Sequence, residues 1–346
     1  LLIFRDWAKA KFVEKAQKLF DGAVCAKISS DITPVKALRL ERTRCCLCET
    51  EDAAPVGVGE DFEYRTSHDT FLAMQCRSCS LIYLNPRPAT EEFQTIYPAN
   101  YHAFEFSPDQ FGFVYRVRRR LEARRLLNWC RDLPENARIL DVGCGDGFHL
   151  GVLKEFGKQS WRLEGIDADE RAARAGEQKG LKIHCGILET ADLPANGYDL
   201  VLLIQTVEHV GDPPQLLKQI RRVLKPGGKL VIITDNTDSP DFRLFKSRYW
   251  GGYHFPRHWN LFNQATMRKL AEKCEFEPEK IVTVVSPVNW TYSIRNLLDD
   301  AGAPRFAVDF FSLKSTIALG IFTVFDTALQ FLGKGALLNA HLRKPL

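Results

Sequence analysis

The chain has 346 residues, 45% of them apolar and 26% charged, enough for one large or two modest domains around a substantial core. Its formal charge of +4 gives no ground by itself for a nucleic-acid partner. The longest apolar stretch, Ile317–Leu332, is sixteen residues interrupted by Asp326, short of the roughly 20 that a bilayer span needs.

At the start, Leu1-Leu2-Ile3-Phe4 gives way at once to Arg5-Asp6, so no signal peptide is expected, and residues 1–40 read as one or two short helices. Of ten cysteines, five lie between 45 and 79, a clustering that suits a metal site in a reducing compartment better than a disulfide framework. A cytoplasmic protein is therefore expected, at most peripheral to the inner face of a membrane. Residues 41–90 form a small module in which Cys45-x2-Cys48 is followed 27 residues later by Cys76-x2-Cys79. Two thiolate pairs on tight turns supply four soft ligands for a tetrahedral zinc ion. Cys46 breaks the two-residue spacing. Four protein ligands leave no open position, so the zinc is expected to be structural and to contribute much of the module's folding energy.

Residues 91–133 read as a linker and a helix. Its six arginines, at 116, 118, 119, 120, 124 and 125, fall on more than one face and are expected to be solvated or paired. From 134 strands and helices alternate: strands at 138–142, 162–167, 182–185, 198–204 and 229–234, helices near 147–157, 169–178 and 213–224. That alternation argues an α/β fold with a mostly parallel sheet covered on both faces. Pro226-Gly227-Gly228 marks a sharp stop after the third helix.

The first strand ends in Gly143-Cys144-Gly145-Asp146-Gly147. The spacing is G-x-G-x-G; a dinucleotide fingerprint would put its third glycine at 148, where Phe148 stands. Asp141 at the strand tip and Asp146 in the turn suit a ligand with a positive centre and an ammonium group better than a pyrophosphate. Asp167, ending the second strand, can accept both hydroxyls of a ribose. After the third strand an adenine would lie between Ile187 or Leu188 and the loop tip, with Glu189 orienting it.

Ile139–Gly147 with Gly165-Ile166-Asp167 resembles the first two cofactor motifs of class I S-adenosylmethionine-dependent methyltransferases. Tyr198–Val201 through Val207-Glu208-His209-Val210 is similar to their fourth-strand region, and Leu224–Gly228 to their turn before strand five. The likeness spans residues 134–285 and implies a Rossmann-like, doubly wound, seven-stranded sheet. It further implies that Asp141 and Gly143 hold the methionine moiety and that Gly145 permits close approach. Asp167 would bind the ribose, Leu188 and Glu189 would flank the adenine, and Gln205 would sit near the methionine end. Cys76–Pro88, with Tyr97 and Tyr101, resembles the zinc-ribbon-like leader of bacterial methyltransferases of sugar, glycan and natural-product pathways.

Methyl transfer to a hydroxyl needs positioning and removal of a proton. His209, just past the fourth strand on the cofactor edge, is the first candidate base, with Glu208 orienting it. Glu208, His209 and Asp212 in one short turn are thin grounds for Mg²⁺, which is not expected. Residues 239–262 are expected as an acceptor-side insertion of the methyltransferase domain at 134–287. Within it Trp250, Tyr253 and Arg257 would bind the acceptor, Arg257 gripping a carboxylate or phosphate, and His254 or His258 would be the second choice of base. Residues 288–346 read as an apolar, basic helical extension able to lie on a membrane interface, cover the site as a lid or form a dimer surface.

The leading expectation is transfer to oxygen on a small molecule, sugar, or glycan- or lipid-linked intermediate. Carbon or nitrogen methylation of a nucleotide sugar or natural product is an alternative. An RNA methyltransferase is disfavoured, since the chain lacks a basic stripe with interleaved aromatics and Ile204-Gln205-Thr206-Val207 lacks an Asn/Asp-Pro-Pro-aromatic sequence. A non-catalytic interaction protein that keeps zinc and S-adenosylmethionine is a third class.

Overall fold

The computed structural model describes residues 37–98, 101 and 108–346; the helices expected within 1–36 lie outside them. Two compact units emerge. One holds the described residues before 99 with Asp235–Thr266 and Thr283–Leu337, the other those up to Thr234 with Met267–Val282 and Leu338–Leu346.

The cysteine module contributes β1 (Leu40–Glu41), β2 (Ala53–Gly59), β3 (Phe71–Cys76), β4 (Ile82–Leu84) and β5 (Arg87–Pro88). β1 pairs with β5, while β2, β3 and β4 form an antiparallel meander whose register slips between Pro55 and Gly57. A proline cannot donate to the ladder, so a break beside Pro55 is the physical expectation.

Helix α1 (Pro108–Trp129) is interrupted at Gly112, where φ is 42°. Its arginines include ion pairs of Arg119 with Glu155 and of Arg125 with Glu122. The alternating block follows as β6 (Arg138–Val142), α2 (Phe148–Phe156), β7 (Arg162–Asp167), α3 (Glu170–Gln178), β8 (Lys182–Cys185), β9 (Tyr198–Ile204), α4 (Pro213–Val223) and β10 (Leu224–Asp235). Side chains cap two of the helices: Asp169 accepts from the Arg171 amide and Asp212 from that of Gln215. β10 starts five residues earlier than expected. The helix does stop at Val223, but Leu224 pairs with Tyr198, the register shifts, and pairing resumes at Lys229 with Leu200. Gly227, at φ 72°, lets the backbone bulge without leaving the strand.

Beyond β10 come α5 (Pro240–Phe245), β11 (Asn260–Leu261), α6 (Gln264–Lys273), β12 (Glu277–Val284), α7 (Pro287–Asp300), α8 (Arg305–Phe310), α9 (Thr316–Phe331) and β13 (Leu337–Arg343). The large sheet runs β12-β13-β10-β9-β6-β7-β8, and the pairs from β10 to β8 are all parallel. It is the seven-stranded, doubly wound α/β order that the sequence implied.

Residues 239–262, expected on the acceptor side, contribute a strand to the cysteine module: β11 pairs antiparallel with β4 and completes that module's sheet, β11-β4-β3-β2. One expectation is corrected. The tail is not wholly helical, because β13 enters the large sheet between β12 and β10. Burial of alternate residues there (Leu338, Ala340 and Leu342 are fully buried) supplies the driving force that an exposed tail would lack. The charge that interrupts the apolar run turns inward: the buried Asp326 of α9 accepts from the Ser286 and Ala336 amides at 2.8 and 3.2 Å and from Trp290 Nε1 at 3.3 Å.

Candidate functional site

The loop after β6 is built on glycines that leave no room for a side chain. Gly143 has φ 70°, and a Cβ there would lie 2.4 Å from the Thr206 side chain; Gly147 has φ 77°, and a Cβ there would meet Leu181 at 2.5 Å. Close approach of the loop to neighbouring strands is thus what these glycines provide. The Gly143 amide donates to Ile166 O at 2.8 Å, and the Gly145 amide to Asp167 Oδ2 at 2.8 Å. Asp167 also accepts from the Asp169 amide at 2.9 Å. Burial raises its carboxyl above the usual range, and these two amide bonds oppose that.

The two loop carboxylates differ in what they face. Asp146 accepts from the Phe148 amide at 3.1 Å and pairs with Lys179 at 2.6 Å, so it braces the start of α2. Asp141 is 1% exposed, and its Oδ2 makes no hydrogen bond among the described residues; His149 Nδ1 stands 3.6 Å away. A buried carboxylate oxygen without a hydrogen-bond donor fits an ammonium ligand.

After β8, Leu188 is buried while Ile187 is 50% exposed and Glu189 is exposed, so Ile187 is the open apolar surface beside the loop. After β9, Gln205 takes φ 51° and donates to Glu208 Oε1 at 3.0 Å. Glu208 is fully buried and accepts at its other oxygen from Thr234 Oγ1 at 2.8 Å. His209 is half-buried, its amide bonded to Thr206 O at 3.0 Å. The structure thus brings Asp141, Gly143, Gly145 and Asp167 together around one loop. Thr206, which shapes that loop, went unread because nothing in its local sequence signals a contact with Gly143.

In the other unit the four sulfurs of Cys45, Cys48, Cys76 and Cys79 lie within 4.8 Å of one another. The two turns repeat one geometry. Glu49 N bonds to Cys45 O at 2.7 Å and Ser80 N to Cys76 O at 2.9 Å, with Glu49 and Ser80 at φ 60° and 67°. Cys45 N and Cys76 N each reach the carbonyl five residues on, at 3.0 and 2.9 Å. Four thiols at this separation match the edges, about 3.8 Å, of a tetrahedron with metal–sulfur bonds of about 2.3 Å. Cys46 faces elsewhere, its sulfur 3.5 Å from Asn260 Oδ1.

The aromatic segment is largely committed to its own unit. Trp250 is buried and donates to Asp241 at 2.7 Å; Tyr253 is buried and donates to Lys246 O at 2.6 Å. Arg257 is 0% exposed, bidentate to Asp61 at 2.9 and 3.1 Å, bonded to Ile96 O at 2.6 Å and stacked over Tyr64. These three expected acceptor-binding residues therefore spend their polar atoms on the chain itself. His254 Nδ1 lies 2.8 Å from Glu63, and burial lowers its pKa to about 4 against the pull of that carboxylate. His258 Nδ1 lies 2.8 Å from Gly252 O and 3.3 Å from Asp235 Oδ2.

A family profile described as a methyltransferase domain matches residues 113–281. The ubiquinone biosynthesis O-methyltransferase of Cereibacter sphaeroides is 31% identical over 172 residues, covering 46% of this chain and 68% of that protein. The Bradyrhizobium protein of the same description is 32% identical over 127 residues, 33% of this chain and 50% of its own. Among solved structures, a SAM-dependent methyltransferase from Thermotoga maritima aligns with a TM-score of 0.46 at 20% identity, covering 72% of this chain and 99% of that one.

Proposed function

The chain belongs to the S-adenosylmethionine-dependent methyltransferases, and on that premise we propose that it methylates a hydroxyl of a small molecule, sugar or lipid-linked intermediate. The observation that carries the cofactor assignment is the buried Asp141 Oδ2, without a hydrogen-bond donor among the described residues, at the tip of β6 beside glycines with positive φ. In this reading Asp141 binds the ammonium of the methionine moiety, Asp167 the ribose hydroxyls, and Ile187 with Glu189 the adenine. The cofactor supplies an electrophilic methyl carbon; the chain's own work is to orient the acceptor and take its proton. We assign that proton to His209, which follows β9 in the same unit as the cofactor loop. The four cysteines would hold a structural zinc.

The test is calorimetry with S-adenosylmethionine. One equivalent should bind, and Asp141→Asn should weaken binding at least tenfold; no binding by the unaltered chain would sink the reading. With a turned-over acceptor in hand, His209→Gln should abolish transfer.

A lipid-linked acceptor is supported by α9. Ile317, Ile321, Val324 and Phe331 follow the spacing of one helix face, and each exposes more than half of its surface. Lys314 precedes the helix and Lys334 follows it, where lipid headgroups would lie, and its single charge, Asp326, is buried. Flotation with phosphatidylglycerol vesicles should carry the chain upward and Ile321→Glu should not float. Equal behaviour of the two proteins would count against a bilayer-borne acceptor.

A further inference from the structure

We propose that α1 is an interfacial helix whose outer face, a row of arginines beside a row of apolar side chains, docks on an anionic lipid surface. The inference goes beyond the identity of the acceptor and does not depend on it.

The arginines between 116 and 125 divide into two sets. Arg119 turns toward α2, where it pairs with Glu155 and its Nη2 donates to Gly151 O at 3.2 Å. Arg125 pairs with Glu122 at 2.6 Å and lies over the Trp129 ring, while Arg118 lies over the Phe148 ring. Arg116, Arg120 and Arg124 are exposed, and none of them forms an ion pair among the described residues. They recur every four residues, so they form one row with a rise of about 6 Å between neighbours. The adjoining row is apolar. Phe113, Val117 and Leu121, again four residues apart, are 66%, 38% and 58% exposed. The helix packs through its other side, where Ala123, Leu126 and Trp129 are buried.

Charge decides the occupant. Between Phe113 and Arg131 the one acidic side chain is Glu122, and Arg125 already holds it. An open groove lined by Leu121, Arg124 and Arg131 carries the same mixture of apolar and basic groups to the end of the helix. The face therefore calls for an anionic partner. A nucleic acid would use the arginines and leave Val117 and Leu121 in water, and on this face Phe113 alone offers a ring for stacking. A second copy meeting the face about a two-fold axis would set arginine against arginine. An anionic bilayer uses both rows: the apolar side chains enter the boundary of the acyl region, and the guanidinium groups bind phosphates at headgroup level.

The test is partition of the full chain onto phosphatidylcholine vesicles with and without phosphatidylglycerol, measured by co-sedimentation at low and high salt. Partition should be stronger with phosphatidylglycerol and weaken as salt rises. Arg116→Gln, Arg120→Gln and Arg124→Gln combined should lower it about fivefold per arginine, whereas Arg116→Lys, Arg120→Lys and Arg124→Lys combined should keep most of it. Leu121→Gln should lower partition and leave its salt dependence in place. Equal partition onto the two kinds of vesicle, or a glutamine variant that partitions like the parent, overturns the inference. Unchanged partition of Leu121→Gln would assign the face to phosphate alone and overturn docking on lipid. Tight binding of a single-stranded oligonucleotide by a chain that ignores both vesicles would assign it to nucleic acid. The reading of α9 fails separately: a loss confined to Ile321→Glu keeps that reading and removes this one, and a loss confined to the arginine variant does the reverse.

Discussion

Arg257 and Asp61 meet 196 residues apart in sequence as a bidentate, solvent-free ion pair, with Nη2–Oδ2 at 2.9 Å and Nη1–Oδ1 at 3.1 Å. It ties the segment after β10 to the loop after β2 within one unit. Burial pushes the Asp61 carboxyl up, but Arg257 and Thr66 hold it below the usual range. Arg257→Met strands that carboxylate and should cost about 3–5 kcal/mol. The pair's contribution is present above the unfolded carboxyl value, about 4, and is lost as pH falls through the lower folded one. Thermal melts from pH 7 to pH 3 should show the gap between the two proteins closing in acid.

The Gly143–Thr206 contact predicts a size-dependent loss. Gly143→Ala places a methyl carbon 2.4 Å from the Thr206 side chain at a backbone φ of 70°. Stability should fall by about 1–3 kcal/mol and S-adenosylmethionine affinity at least tenfold. Gly302→Ala has φ 71° with nothing within 4 Å, so it carries the backbone strain alone and should leave affinity intact. Adding Thr206→Ala to Gly143→Ala should recover part of the affinity, as calorimetry would reveal.

The cysteine cluster predicts one zinc per chain by elemental analysis. Cys76→Ser should lose the metal and lower the melting temperature of its unit, whereas Cys46→Ser should retain full occupancy, its sulfur facing Asn260. Chelator treatment should reproduce the Cys76→Ser melt. Zinc retained in Cys76→Ser and lost in Cys46→Ser would reverse the ligand assignment.

Asp241 predicts an opposite pH trend. Burial raises its pKa from 3.8 to about 6, although Trp250 Nε1 donates to it. With the folded value above the unfolded one, the carboxyl costs nothing below about pH 4, and its penalty grows until the pH passes about 6. Asp241→Asn keeps an acceptor for Trp250 Nε1 without the charge. Its melting temperature should exceed that of the parent at pH 7, and the two should converge toward pH 4. A gap independent of pH would show that ionisation is not the cause.

The alternating block was readable because its signals are local. Val-, Leu- and Ile-rich runs end at Asp141 and Asp167, Asp169 and Asp212 stand at helix starts, and Gly143 and Gly147 mark a turn no larger residue could make. The cysteine cluster was readable for a similar reason, since the Cys-x2-Cys spacing builds each half of it within five residues. Strand β10 shows where such reasoning stops short. Ended at Thr234, it hid Asp235, a third carboxylate at a strand tip, which stands 3.3 Å from the His258 ring.

Sequence by itself determined the class of fold, the glycine loop after β6 and the cysteine cluster, because each depends on residues close together in the chain. Tertiary structure alone decided what the aromatic segment does. Nothing near Arg257 in sequence reveals Asp61, nothing near His258 except Gly252 reveals Asn289 and Asp235, and β11 finds its partner in β4, more than 170 residues earlier. An arginine with no visible partner reads as a hand for a ligand. It becomes part of the framework once burial forces its guanidinium to find a carboxylate inside the protein.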